Sequence, residues 1–261
     1  MTGPGQAWDP WTDQSYLRES QYKTDVNLAA RQSIYACQQP PIDLARETLS
    51  LAAPGGAEVV ADVGYGNGRY LAELARRGHA GPVLGVDMSP GMLLAARSGA
   101  PRARLMVADA MALPVRDAAA GLTLAMHMLY HVPDPDRAVR ELRRITRPGG
   151  RVIVGLNGAD HLQELRGLIA HALASLGRPP VRPREQIGLD TGEQLLRSQF
   201  ASVTRHDFES QLRVPDTEPI AAYVRSRVPD AGPLVPAVLS ALPADPALFP
   251  ITTHSGALVC S

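Results

Sequence analysis

The run Asp62-Val63-Gly64-Tyr65-Gly66-Asn67-Gly68 constrains the fold of this chain more than any other segment. It follows a short apolar stretch, Glu58 to Val63, and precedes a helical one, Arg69 to Arg77. Glycine at alternate positions lets the backbone turn tightly and lets a ligand lie against main-chain N–H groups. A glycine-rich turn also suits an ordinary strand–helix connection, but three details narrow the reading. The spacing is GxGxG, so the place where a dinucleotide fingerprint needs its last glycine holds Arg69, whose side chain would prevent close helix–strand packing. The strand ends in Asp62, which would repel a pyrophosphate and suits a ligand carrying an ammonium group. The next strand, Val83 to Asp87, ends in an acid nineteen residues past Gly68, placed to accept from two ribose hydroxyls.

The alternation continues. Gly91 to Arg97 reads as helix and Arg104 to Ala108 as a strand ending at Asp109. Leu122 to Met126 reads as strand, and Pro135 to Thr146 as a charged amphipathic helix closed by Arg147-Pro148-Gly149-Gly150. Arg151 to Leu156 is a fifth strand. Apolar strands alternating with helices predict a parallel sheet covered on both faces. Taken singly, Asp62, Asp87 or Asp109 is equally well a helix N-cap or turn residue. As an ordered series at one edge of a parallel sheet, where ligands of such folds bind, they describe a site.

The flanks are less regular. Residues 1–14 read as loose, and Ser15 to Gln39 as one polar helix carrying Tyr16, Tyr22, Arg31 and Tyr35. Pro40-Pro41 breaks it, and Ile42 to Leu51 is helical. Beyond Asn157 the expected order is a helix Asp160 to Leu176, a proline-rich link Arg178 to Arg184 and a short helix Glu193 to Arg197. A bent or bulged strand Phe200 to Val214, a helix Pro219 to Val228, a proline-studded link and a last strand Ile251 to Val259 complete it. The expected organisation is a helical lid at 1–50 and a sheet domain at 51–261, with a cap insertion at about 157–199.

Composition excludes several classes. An apolar fraction of 45% over 261 residues supplies a core. The balance of 26 basic and 26 acidic residues lacks the basic excess of a nucleic-acid binder. Cys37 and Cys260 match no metal spacing and no disulfide framework. The start has no basic n-region or apolar h-region, and no stretch approaches ~18 continuous apolar residues. A soluble, cytoplasmic protein with no membrane partner is expected.

The run Val59 to Gly68, then Leu84 to Ser89, then Ala108-Asp109-Ala110, resembles the successive motifs of class I S-adenosylmethionine-dependent methyltransferases. Leu124 to His131 and Arg140 to Gly150 add the fourth-strand motif and an "LRPGG"-type turn. That turn is similar to the branch containing ubiquinone, menaquinone and antibiotic-tailoring methyltransferases. The resemblance covers about residues 58–156. It implies a Rossmann-like, doubly wound α/β fold, with a mostly parallel seven-stranded sheet, an antiparallel last strand and a helical cap. By position, Gly64, Gly66 and Gly68 pass under the methionine and ribose parts of S-adenosyl-L-methionine, and Asp62 faces its ammonium. Asp87 holds the ribose with Met88 packed on the adenine, and Asp109 and Ala110 edge the adenine ring. Tyr65 stands where this branch often carries Cys.

The nominated bases are His127 and His131, with Tyr130 beside them, because a neutral imidazole can deprotonate a hydroxyl or ammonium near pH 7. The bland alternative is that His127 only packs beside the cofactor and His131 only holds the loop before Pro133. Tyr16, Tyr22 and Tyr35 face the site if the N-terminal helix is a lid, with Arg31 on the cofactor carboxylate; otherwise that helix packs through Leu28 and Ile34. His127-Met128-Leu129-Tyr130 stands where nucleic-acid amino methylases often carry an Asn/Asp-Pro-Pro-aromatic run. The expected acceptor is therefore a small organic molecule, O-, N- or C-methylated, in bacterial natural-product biosynthesis, with no metal. A homodimer is compatible with the chain. Two rivals stand beside this reading. One is an NAD(P)-dependent oxidoreductase, opposed by Asp62, Arg69 and the lack of a Tyr-xxx-Lys pair. The other is a non-catalytic cofactor-binding protein of the same fold.

Overall fold

A computed structural model describes residues 11–179, 187–227 and 230–261. Most of the loose start expected at 1–14, and residues 180–184 of the proline-rich link, lie outside the described residues. The Ser15 to Gln39 stretch is not one helix. A short α1 (Gln14–Tyr16), capped by the Asp13 carboxylate, runs into a π turn at Leu17–Gln21. The chain then breaks, resumes as α2 (Val26–Ser33) and a 3-10 turn at Ile34–Cys37, and ends in a two-residue strand β1 (Gln38–Gln39). Polar periodicity predicted helix throughout, but only a broken segment lets Ile34 and Leu17 both reach buried positions.

The sheet block follows the sequence closely: α3 (Leu44–Ala52), β2 (Val60–Val63), α4 (Arg69–Arg76), β3 (Val83–Asp87), α5 (Pro90–Gly99), β4 (Arg104–Val107), β5 (Ala120–Met126) and α6 (Pro135–Ile145). Asp43 and Asp134 cap α3 and α6 by accepting from backbone N–H groups of their first turns. β6 (Thr146–Asn157) starts earlier than expected, because Thr146 already pairs with Ala120 before an irregularity in the ladder. Then come α7 (Gln163–Ser175), α8 (Leu189–Arg197), β7 (Val203–Leu212), α9 (Glu218–Arg227), α10 (Leu234–Ser240) and β8 (Ile251–Cys260). The proline-studded link thus contains a helix that its composition concealed, and β7 is regular rather than bulged.

The strand order is β1-β7-β8-β6-β5-β2-β3-β4. β6, β5, β2, β3 and β4 run parallel, while β8 is antiparallel to both β6 and β7. The sheet is the expected one with an eighth, two-residue edge strand, β1, added against β7. β2 and β5 are buried along their whole length, as central strands covered on both faces must be. Side-chain alternation sorts the core: Val152, Val154 and Leu156 of β6 pack on one face with Val139, Leu142 and Leu196. Ile153 packs on the other with Leu49, Leu74, Leu122 and Leu124. A third cluster lies off the sheet, where Ile34 joins Leu165, Leu173, Ile220, Val224, Leu234 and Val238. That layer unites the N-terminal segment with α7, α9 and α10, whereas Leu189 and Leu196 of α8 belong to the sheet core.

Candidate functional site

Above the carboxyl ends of β2, β3 and β5 lies a cavity of about 510 Å³. The crevice at that edge, between β2 and β5 where the strand order reverses, is where doubly wound sheets bind ligands. The turn after β2 is built as the glycine spacing demands. Gly64, Gly66 and Gly68 have φ of 75°, 52° and 82°, the left-handed region that only glycine enters without strain. A β-carbon on Gly64 would meet Met128 at 2.6 Å, and one on Gly68 would meet the Ala96 backbone at 2.8 Å. Gly64 and Gly66 line the cavity; Gly68 instead seats α4 against α5.

Two acids anchor this end. Asp87 accepts from Gly66 N–H and Ser89 N–H, both at 2.9 Å, so it fixes the glycine turn while lining the cavity. Burial raises its pKa, and the backbone donors offset part of that rise. Asp62 is 1% exposed, and neither carboxylate oxygen has a hydrogen-bond partner among the described residues. Burial and then the neighbouring Asp87 push it up to about 7. A buried carboxylate without partners is costly, and a site kept this way asks for a cation. Met88, Asp109 and Ala110 line the same cavity, and Asp109 accepts from Met111 N–H at 2.8 Å. The Tyr65 ring is buried among Leu71, Met92 and Ala96, where Gly85 leaves room for it.

The N-terminal segment lies over this floor. Leu28 comes to within 3.1 Å of where a Gly66 β-carbon would stand, and Asn67 donates to Gln32 at 2.7 Å. Ser89 Oγ donates to the Tyr22 carbonyl at 2.5 Å, and Gly91 leaves space for the Lys23 carbonyl, which a side chain would overlap. Gln21 and Arg31 both donate to the Ser226 carbonyl of α9, at 2.7 and 3.0 Å. The second terminal nitrogen of Arg31 is buried with no partner among the described residues.

Two tyrosine–histidine pairs furnish the far wall, and their polarity differs. His131 Nδ1 lies 2.9 Å from the Trp11 carbonyl, which can only accept, so Nδ1 carries the proton. Its Nε2 therefore accepts from the Tyr22 hydroxyl at 2.8 Å. His161 Nδ1 accepts from the His254 backbone N–H at 3.1 Å, so its proton is on Nε2 and is donated to the Tyr35 oxygen at 2.9 Å. Burial, with Arg31 and Arg227 adding to it, pushes His131 down to about 4 despite the Trp11 carbonyl. Burial drives His161 to about 3. His127, at the end of β5 with φ 55°, is also held to about 4 by burial and Arg69. All three imidazoles are neutral at physiological pH.

The cavity thus collects His127, His131, Arg31, Tyr22, Tyr35 and Tyr130. Asp62 is buried next to Val63 and Gly64, which line the cavity, but does not line it itself, and Tyr16 lines a separate cavity with Ser20, Asn27 and Arg225. The pairings Tyr22–His131 and Tyr35–His161 join residues 109 and 126 positions apart, and no local signal foretold them. Arg227 of α9, which also lines the cavity, was likewise not singled out by the sequence. A grouping of three or more His, Cys, Asp or Glu able to hold a metal does not occur among the described residues. No described helix is long and apolar enough to cross a membrane.

Residues 61–154 match the family model described as "Methyltransferase domain". The chain is 35% identical over 144 residues to a malonyl-[acyl-carrier protein] O-methyltransferase of Halorhodospira halophila, covering 54% of this chain and 48% of that protein. It is 29% identical over 189 residues to an uncharacterised methyltransferase of Mycobacterium tuberculosis, covering 72% of each. A 23S rRNA (guanine(748)-N(1))-methyltransferase of Streptomyces fradiae is 36% identical over 123 residues, covering 47% of this chain and 41% of that protein. The chain spans about half the length of the first relative and 41% of the third. In three dimensions it matches a protein described as an antibiotic-biosynthesis methyltransferase of Anabaena variabilis. The TM-score is 0.62 at 19% identity, over 84% of this chain and 96% of that one. The strand order and the glycine turn agree with the methyltransferase-domain match over residues 61–154, and the likeness to the solved methyltransferase shows a shared fold. The cofactor of such a domain is S-adenosyl-L-methionine, and the residues fit it: Asp62 offers an unpartnered buried carboxylate to an ammonium.

Proposed function

We propose that this chain transfers a methyl group from S-adenosyl-L-methionine to a small organic acceptor held under its N-terminal segment. The observation that carries the reading is Asp62, buried with both oxygens unpartnered beneath a glycine turn that Asp87 ties down. Asp62 would hold the amino group, Arg31 the carboxylate, Asp87 the ribose, and Met88, Asp109 and Ala110 the adenine, with the glycine turn, its N–H groups bonded to Val86, Asp87 and Tyr65, leaving room for the cofactor to pass. The cofactor supplies an already activated methyl group on sulfur.

What remains for the protein is alignment, exclusion of water and removal of a proton. Positioning alone is worth about 7–11 kcal/mol. Residues 1–50 would act as a lid, and the contacts of Leu28, Gln32 and Tyr22 with the cofactor floor support that role. Of the two nominated bases, His131 reaches an acceptor only through Tyr22, whose hydroxyl occupies its Nε2. An acceptor proton would pass to the Tyr22 oxygen as the tyrosine's own proton passes to His131. His127 would stay neutral beside the reacting centre. The charge balance of the chain favours a small acceptor over a nucleic acid, and natural-product biosynthesis in the cytoplasm is the setting we infer.

Calorimetric titration with S-adenosylhomocysteine tests the reading. We expect micromolar binding by wild type, much weakened in Asp87→Ala, with no heat from NAD. Absence of binding by wild type would sink it.

A further inference from the structure

Asp87 and Asp109 line the cavity near the carboxyl edge of the sheet, and α2 and α9 contribute Arg31 and Arg227 to a wall that Arg69, Arg166 and Asp190 also join. Arg227 makes no ion pair or hydrogen bond with any described residue; its guanidinium stacks 4.5 Å from the Trp11 ring and 6.0 Å from that of Tyr223. The charge is felt at Tyr22, Tyr35, Tyr130, His131 and His161, whose proton affinities it lowers. A half-buried guanidinium facing a cavity, with no carboxylate partner among the described residues, is a binding site for an anion.

Tyr35 points to the same class of ligand. Its oxygen accepts from His161 Nε2–H, so its own proton is left to donate, and no described group takes it. Burial, with Tyr223 the next cause, raises its pKa, which keeps that proton in place. Donor and cation line the same cavity, Tyr35 and Tyr223 both belong to the apolar cap layer, and the Arg227 charge acts on the Tyr35 hydroxyl. Tyr22 is built the other way: its proton is committed to His131, which leaves its oxygen able only to accept.

We propose, resting on the methyltransferase reading above, that Arg227 and the Tyr35 hydroxyl form a subsite for an oxyanion, so that the acceptor is a carboxylate-bearing molecule with an apolar or aromatic body. Arg31 is left to the cofactor's carboxylate. The arrangement also couples binding to chemistry. An anion on Arg227 offsets one of the charges that disfavour a proton on His131, so the Tyr22–His131 couple becomes a stronger base only when the right class of acceptor is seated.

The test uses the full chain saturated with S-adenosylhomocysteine, probed with benzoate and 3-phenylpropionate and, in parallel, with benzamide and 3-phenylpropionamide. Wild type should bind at least one acid tenfold or more tightly than its isosteric amide. Arg227→Gln should abolish that preference, Arg227→Lys should keep part of it, and Tyr35→Phe should reduce it severalfold. All three should bind S-adenosylhomocysteine within about twofold of wild type, which also reports folding. Equal binding of acids and amides, no binding of either, or a preference that survives Arg227→Gln and vanishes in Arg31→Gln would each overturn the proposal. Failure of wild type to bind S-adenosylhomocysteine would instead overturn the methyltransferase reading.

Discussion

Replacing Asp62 by Asn should stabilise the ligand-free protein while disabling its site. In the fold Asp62 is held at about 7 by burial and by Asp87, against an ordinary value of 3.8. A folded pKa above the unfolded one means that the native state binds more protons between those values, so stability falls as pH rises through that window. The full penalty, reached above about pH 7, is roughly 4 kcal/mol at 1.36 kcal/mol per unit. An asparagine amide, equally without partners, gives back about 1–3 kcal/mol of desolvation. The net gain expected at pH 8 is therefore about 1–3 kcal/mol, or a rise in Tm of several degrees for a chain of this size. At pH 5 most of the wild-type penalty is absent, and the advantage of Asp62→Asn should shrink by about 3 kcal/mol and vanish or reverse. Differential scanning calorimetry at the two pH values measures this. Titration with S-adenosylhomocysteine should show binding weakened about 30-fold or more, the loss of a charge-assisted partner. A variant whose Tm difference from wild type is the same at pH 8 and pH 5 would refute the account of Asp62 as an uncompensated buried charge.

Other expectations follow from the same geometry. Gly91→Ala should push away the Lys23 carbonyl and loosen the N-terminal segment. Lys23 is the chain's sole lysine, so a lysine-specific protease should cut this variant at that site several times faster than wild type, and an unchanged rate would deny that Gly91 seats the segment. Gly68→Ala combines a left-handed φ with a clash against the Ala96 backbone; chemical denaturation should show a loss of about 3 kcal/mol or more. Tyr22→Phe and His131→Ala should each lower methyl transfer to a hydroxyl acceptor by about 10²-fold or more. Their losses should not add in the double variant, because the two groups act as one couple, and additive losses would place the base elsewhere.

Much of the sheet was legible because its signals are local. An apolar run, a turn with glycine at alternate positions and an amphipathic helix each declare themselves within about ten residues, and strands ending in Asp62, Asp87 and Asp109 must share an edge once the strands are parallel. Gly64 and Gly66 need no partner to specify a left-handed backbone, so the turn itself could be read directly. The acceptor half could not. Tyr22 meets His131, Tyr35 meets His161, and Arg227 reaches the cavity only because α9 folds back onto α2. The break after Gln21 and the helix hidden among prolines at Leu234–Ser240 arise from burying Ile34, Leu234 and Val238 in one off-sheet layer. Hydrophobic burial does not depend on sequence separation, so it overrode the local helical pattern there. The sequence by itself determined the strand–turn–helix order and the acids at the carboxyl edge of the sheet; only the tertiary structure decided which histidine nitrogen meets which tyrosine and which arginines reach the cavity.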